Sequence, residues 1–279
     1  MAAQSRANRD AGTPPAVRRG YFECRYGQLH VYNAMPGGGG FEEGTTLLCL
    51  HEVPLNGHMF NRVQALLGRG RSVYAPDLPG YGDSDAPAAR PSIEDYAAAI
   101  GDFLDTMRLR KVDLLGCQAG ALIAAELAIA RPQQVRRAVW VSVPAFNAAE
   151  RAQFANAPWP APLSADGAQL LSEWRRASGE GKQVLPAEVT ARRLAAMLGI
   201  GARASWGMHA VVQYAAQQRL GLVTQPVLIL RPADEYWEST LRARELLPKA
   251  RLIEFAGHGA GLCETAPEAV ADAVAAFLS

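Results

Sequence analysis

The chain has 279 residues, 49% hydrophobic and 20% charged, which suits one large α/β domain with room for an inserted subdomain. That apolar share builds a packed core and excludes a disordered chain. Lys plus Arg number 28 against 27 Asp plus Glu, so no bulk field draws in nucleic acid or an anionic membrane.

In chain order, residues 1–20 lack an apolar stretch and read as a flexible leader. Segments 21–26 and 28–34 follow each other without a helix and predict an antiparallel hairpin at a sheet edge, with a glycine loop, Gly37 to Gly40, after it. Six short apolar runs then read as buried strands: TTLLCL (45–50), RSVYAP (71–76), KVDLLG (111–116), RRAVWVSV (136–143), PVLILR (226–231) and ARLIEF (250–255). Amphipathic stretches at 59–69, 92–107, 121–130, 239–247 and 264–278 are each long enough for a crossover helix. This alternation predicts a mostly parallel central sheet flanked by helices on both faces.

One region breaks the rhythm. From Pro144 to Val223 the pattern is helical or loop, punctuated by WPAPL, SGEGK and LGIGA. An all-helical insertion here reads as a cap (144–223) over the C-terminal edge of a core made of 21–143 and 224–279. Open α/β sheets bind ligands at that edge. Trp159, Trp174, Trp206, Met208, His209 and Tyr214 are candidates for the pocket wall, although most of these rings would serve the cap's own core.

Cys24, Cys49, Cys117 and Cys263 form no C-x-x-C pair and read as free thiols of a reducing compartment. The five histidines include no H-E-x-x-H, so no metal is expected. Gly116 and Gly120 do not belong to a G-x-G-x-x-G loop, and no cofactor is expected. No apolar run nears the roughly 20 residues that span a bilayer. The expectation is a cytoplasmic protein acting on a small-molecule substrate, with a homo-oligomer compatible with the sequence.

Four landmarks occur in order: LLCLHEVPLNGHMF (47–60), APDLPGYGDSD (75–85), VDLLGCQAGALIAAELA (112–128), and the pair PVLILRPADEYW (226–237) and FAGHGAGLCETAPEAV (255–270). Together they resemble the α/β-hydrolase superfamily, of the capped, single-domain type. The first looks like its strand and oxyanion loop, the second like its Asp-Pro-Gly turn, and the third like its nucleophile elbow. The last two look like its acid and histidine turns.

The resemblance implies an elbow of the form G-x-nucleophile-x-G, with small flanking residues where backbones approach. Between Gly116 and Gly120 the midpoint is Gln118, which cannot accept an acyl group. The other register puts Cys117 at the tip, a good nucleophile, but places Leu115 and Ala119 at the close-packed positions. The oxyanion loop departs too, with His51-Glu52 where His-Gly is expected. By analogy the N–H groups of Val53 and Ala119 would bind a developing oxyanion. An ionised Glu52 would oppose that charge, so it should be protonated with a raised pKa, turned away, or part of another chemistry. It would alternatively pair with Arg62 or another surface cation. His51 would support the loop or, at most, touch the pocket.

His258 matches the catalytic histidine turn and is the first candidate for general base. Its orienting acid falls at Glu235 by position and at Asp234 by residue type, and both stay open. The expected function is an enzyme without a serine nucleophile, acting on a small, partly apolar carbonyl compound (an ester, a lactone or a C–C bond). The alternatives are a Cys117-dependent acyl hydrolase or transferase, a lyase, and a silent ligand-binding protein.

Overall fold

The computed structural model describes residues 14–37, 44–156, 165–179 and 184–279. Its strands are β1 (Arg18–Cys24), β2 (Gly27–Ala34), β3 (Gly44–Leu50), β4 (Arg71–Pro76), β5 (Val112–Cys117), β6 (Val135–Val141), β7 (Val227–Pro232) and β8 (Arg251–Phe255). They form one sheet in the order β1-β2-β4-β3-β5-β6-β7-β8. β2 lies antiparallel to both β1 and β4, and the remaining pairs are parallel. The six apolar runs all become strands, with ends shifted by at most two residues.

The first strand starts earlier than the sequence suggested. Residues 18–20, assigned above to the leader, already pair with β2, Arg18 opposite Asn33 and Gly20 opposite Val31. Arg18 and Arg19 are exposed, so their pairing leaves no apolar signature.

Among the described residues the helices are α1 (Asn61–Leu67), α2 (Ile93–Thr106), α3 (Ala119–Ala130), α4 (Ala148–Asn156), α5 (Leu170–Ala177), α6 (Ala187–Ile200), α7 (Trp206–Gln213), α8 (Ala216–Arg219), α9 (Trp237–Leu246), α10 (Leu262–Thr265) and α11 (Pro267–Leu278). The period-two pleat of the strands sorts the core into two layers. Leu48, Leu50, Leu114, Trp140 and Ile229 face a layer shared with α2 and α3. Leu47, Cys49, Leu115, Cys117, Val139 and Leu228 face the opposite layer, shared with α1 and α11. Each fully buried Leu, Ile or Val contributes about 2 kcal/mol of hydrophobic stabilisation. No helix among the described residues is long and apolar enough to cross a membrane.

Helices α4 to α8 fill the interval between β6 and β7, where the helical segment was expected. Among the contacts that tie them to the core are two at α3 and Tyr81. Glu126, buried on α3, accepts from Arg219 Nε (2.5 Å), Arg219 Nη2 (2.8 Å) and Tyr214 Oη (2.7 Å). Gly207 at the start of α7 donates its N–H to Tyr81 Oη (2.6 Å). A Cβ at Gly207 would lie 2.4 Å from Val53 Cγ1, so only glycine permits this approach.

Candidate active site

At the C-terminal end of β5 the chain turns sharply into α3. Gln118 forms the tip with φ 48° and ψ −113°, backbone angles that non-glycine residues seldom adopt. Its N–H donates to Val141 O and its C=O accepts from Ala121 N, both at 2.9 Å, which fixes the turn. A Cβ on Gly116 would fall 2.3 Å from Gly120 O, and one on Gly120 would fall 2.0 Å from Leu50 O. The two glycines therefore flank Gln118 as a pair, and the second brings the turn against the end of β3. Ala119 is the first residue of α3, where a helix leaves its amides without carbonyl partners. The Gln118 side chain makes no hydrogen bond among the described residues.

Cys117 lies one residue earlier, on the strand, and faces the layer of α1 and α11. It is 2% exposed, with its Sγ 3.6 Å from Cys263 Sγ. Burial, then the hydrogen bond with Cys263, pushes its thiol well above the ordinary range.

The loop after β3 carries His51, Glu52 and Val53. His51 is fully buried and accepts from Leu78 N at Nε2, so Nδ1 carries the proton and donates to Glu52 O, both at 2.8 Å. Burial lowers its pKa and keeps it neutral. Both ring nitrogens are thus committed to backbone, so the ring supports the loop and neither nitrogen is left to bond a substrate. Val53 is buried, and its N–H has no partner among the described residues.

Glu52 is 5% exposed, and the sequence reading that paired it with Arg62 is corrected by the ion pairs. Arg62 lies at the surface and bonds Glu268 (3.0 Å). Glu52 instead pairs with Arg193 Nη2 of α6, whose Nη1 donates to Glu264 of α10 at 2.5 Å. One guanidinium from the helical segment thus bridges two core carboxylates. Burial pushes the Glu52 carboxyl up to about 7, with Arg193 opposing and Glu264, Glu235 and Asp234 adding to the rise. Arg193 and Glu264 were not singled out from sequence.

The acid and histidine turns meet through backbone, Ala233 N–H donating to His258 O at 2.6 Å. Their side chains do not pair. Asp234 is buried, with Oδ2 accepting from Ser142 Oγ (2.5 Å) and Oδ1 from Tyr236 N (2.9 Å). Burial raises its carboxyl to about 6, the Ser142 bond opposing. Glu235 is exposed. The His258 ring is half-buried against Phe255, centroids 6.0 Å apart, with no carboxylate partner among the described residues. The expected imidazole–acid bond is therefore not formed with either acid. Ser142, which holds Asp234, has a positive φ of 55° and had no sequence signal.

Of the proposed wall residues, Trp159 lies outside the described residues. Trp206 is half-buried, while His209 is exposed on α7. Tyr214 is buried in the contact with Glu126 rather than lining a pocket. A stack of Tyr236, Phe146 and Phe154, with centroids 5.9 Å and 4.6 Å apart, supplies an aromatic face beside the acid turn.

One group of metal-ligating types converges among the described residues: His30, Asp77 and Asp83, with ligand atoms within 4.8 Å of one another. Both Asp77 oxygens are already occupied, by Gly57 N (2.7 Å), Asp83 N (3.0 Å) and His30 Nδ1 (2.9 Å), which makes this a turn-holding network.

Residues 38–273 match the model of the alpha/beta hydrolase family. An uncharacterised protein of Mycobacterium tuberculosis is 35% identical over 99 residues, 36% of this chain and 29% of that protein. The pimeloyl-[acyl-carrier protein] methyl ester esterase of Vibrio campbellii is 33% identical over 138 residues, 48% of this chain and 50% of the esterase. The chain thus spans half or less of the length of these relatives. The crystal structure of E-2-(acetamidomethylene)succinate hydrolase superposes with a TM-score of 0.75 at 19% identity, covering 94% of this chain and 99% of that one.

Proposed function

The chain belongs to the alpha/beta hydrolase family, and from that membership we propose a hydrolytic enzyme that cleaves a small, partly apolar carbonyl compound without a covalent acyl intermediate. The observation that carries this reading is Gln118 at the tip of the turn between β5 and α3, where the fold of this family exposes its nucleophile. A carboxamide accepts no acyl group but donates a hydrogen bond to a substrate oxygen.

In this reading His258 takes a proton from water as the water attacks the carbonyl carbon. The N–H groups of Val53 and Ala119 receive the developing oxyanion. Glu52, with a carboxyl that titrates near 7, returns a proton to the leaving oxygen. Arg193 is the cation that keeps this buried acid from becoming permanently neutral. The aromatic stack of Tyr236 and Phe146 suits the apolar part of the substrate. The segment 144–223 acts as the cap. Cys117 is disfavoured as nucleophile because its thiol is buried and held protonated.

The test is a rapid-quench intact-mass measurement with activated esters, lactones and thioesters, run alongside turnover. We expect no adduct, turnover retained in Cys117→Ala, and a loss of about 100-fold or more in His258→Ala. An acyl adduct on Cys117 would sink the reading. A second reading, a ligand-binding protein without turnover, is favoured by the His258 imidazole, which has no carboxylate partner among the described residues. Stoichiometric binding with no turnover across the panel would establish it.

A further inference from the structure

A crevice of about 410 Å³ opens between α6 and the loop following β3. Neither Gln118, Glu52, Asp234 nor His258 lines it, and it shares only Arg193 and Glu264 with the candidate active site. Leu55, Met59 and Ile200 are each at most 6% exposed and give the crevice an apolar lining. At the same opening stand two nitrogen-bearing side chains. Arg192, exposed on α6, has no ion pair or hydrogen bond among the described residues. The half-buried His58 imidazole likewise makes no hydrogen bond, its polar link being the backbone N–H that donates to Asn56 Oδ1 (3.2 Å).

The two are close enough to interact. After burial, the charge of Arg192 is the next influence lowering the His58 pKa. The carboxylates nearby do not cancel the pair. Glu264 is taken up by Arg193, and Asp83, which lines the same crevice beside Tyr32, is not among the charges that act on His58. Two adjacent groups that both favour an anion, above an apolar lining open to water, have no complement among the described residues.

We propose that this crevice binds a small amphiphilic carboxylate, with its carboxylate on Arg192 and His58 and its hydrocarbon body over Leu55, Met59 and Ile200. The volume falls in the range of small-molecule sites, which begin at about 300 Å³. Neutral His58 donates one ring N–H, and Arg192 donates a charge-assisted pair. The site stands apart from the proposed hydrolytic chemistry and does not depend on it.

The experiment is calorimetric titration of the full chain with sodium hexanoate at pH 7 and low salt. Hexan-1-ol and hexylammonium are the comparison probes. We expect saturable one-to-one binding of hexanoate, at least about tenfold weaker binding of the alcohol, and none of the amine. Arg192→Gln, a change at an exposed position, should weaken hexanoate by about tenfold or more while leaving the melting temperature unchanged. Ala196→Trp, filling the crevice, should abolish binding, and His258→Ala should leave it intact. The proposal is overturned by absent hexanoate binding, by equal affinity for alcohol and carboxylate, or by Arg192→Gln binding as the wild type does. Loss of binding in His258→Ala with retention in Arg192→Gln would also overturn it, by moving the ligand into the hydrolytic centre.

Discussion

Two buried carboxylates near the same sheet edge are held in opposite ways. Asp77 is fully buried and receives hydrogen bonds from the backbone amides of Gly57 and Asp83 and from His30. Glu52 is almost as buried, yet its charge is met by one side chain, Arg193, which also serves Glu264. Backbone donors are fixed by the fold and cannot be redistributed. A guanidinium on a long stem, shared between acids, can be. Burial alone therefore does not tell how firmly a carboxylate is held; the kind of donor does.

The largest expected effect tests the scaffold side. Asp77→Ala strands two amides and an imidazole, and should cost about 4 kcal/mol in urea denaturation at pH 7. A loss below about 1 kcal/mol would break the contrast.

Next comes the pH dependence of Glu52. In the unfolded chain it releases its proton near 4.5, and in the fold near 7. Between these values the folded state holds a proton that the unfolded chain has lost. The Glu52 contribution is therefore fully present below pH 4.5 and declines as pH rises to 7. Its size is at most about 3 kcal/mol. Glu52→Gln should flatten this slope relative to wild type in denaturation curves at pH 5, 6, 7 and 8; parallel curves would place Glu52 with Asp77.

Arg193→Met should destabilise by about 2 kcal/mol at pH 8, because both carboxylates lose their cation and Glu52 answers by taking up a proton. At pH 5, with Glu52 already neutral, the loss should fall below about 1 kcal/mol. An equal loss at both values would mean that Arg193 acts through Glu264 and packing and not through Glu52.

The smallest effect concerns the turn itself. Gln118→Gly should raise stability by about 1 kcal/mol by relieving its positive φ, while turnover disappears. A fall in stability would make the carboxamide a structural pin.

Strands were legible because short apolar runs bounded by turn residues admit few alternatives, as in the wholly buried β5 and β7. The sharp turn was legible because steric demands leave only glycine at 116 and 120. Arg193 was not, since it lies 141 residues from Glu52 on a helix whose pattern speaks only of amphipathicity. The acid and histidine turns were located from motif, and their backbones do meet. Which oxygen faces which hydrogen was hidden, because Ser142 captures Asp234 through a backbone kink that no residue pattern announces. The early start of β1 was hidden for a simpler reason: edge pairing needs amides, not apolar side chains.

The glycine contact at 207 has a consequence for heredity and for design. With Val53 and Tyr81 pressed against that bare α-carbon, the helical segment and the β3 loop cannot be exchanged independently between relatives. A chimera carrying a foreign segment would need a side-chain-free residue at the same spot, or a smaller partner for Val53. Libraries that diversify the segment should therefore hold position 207 constant and spend their variation elsewhere along α7.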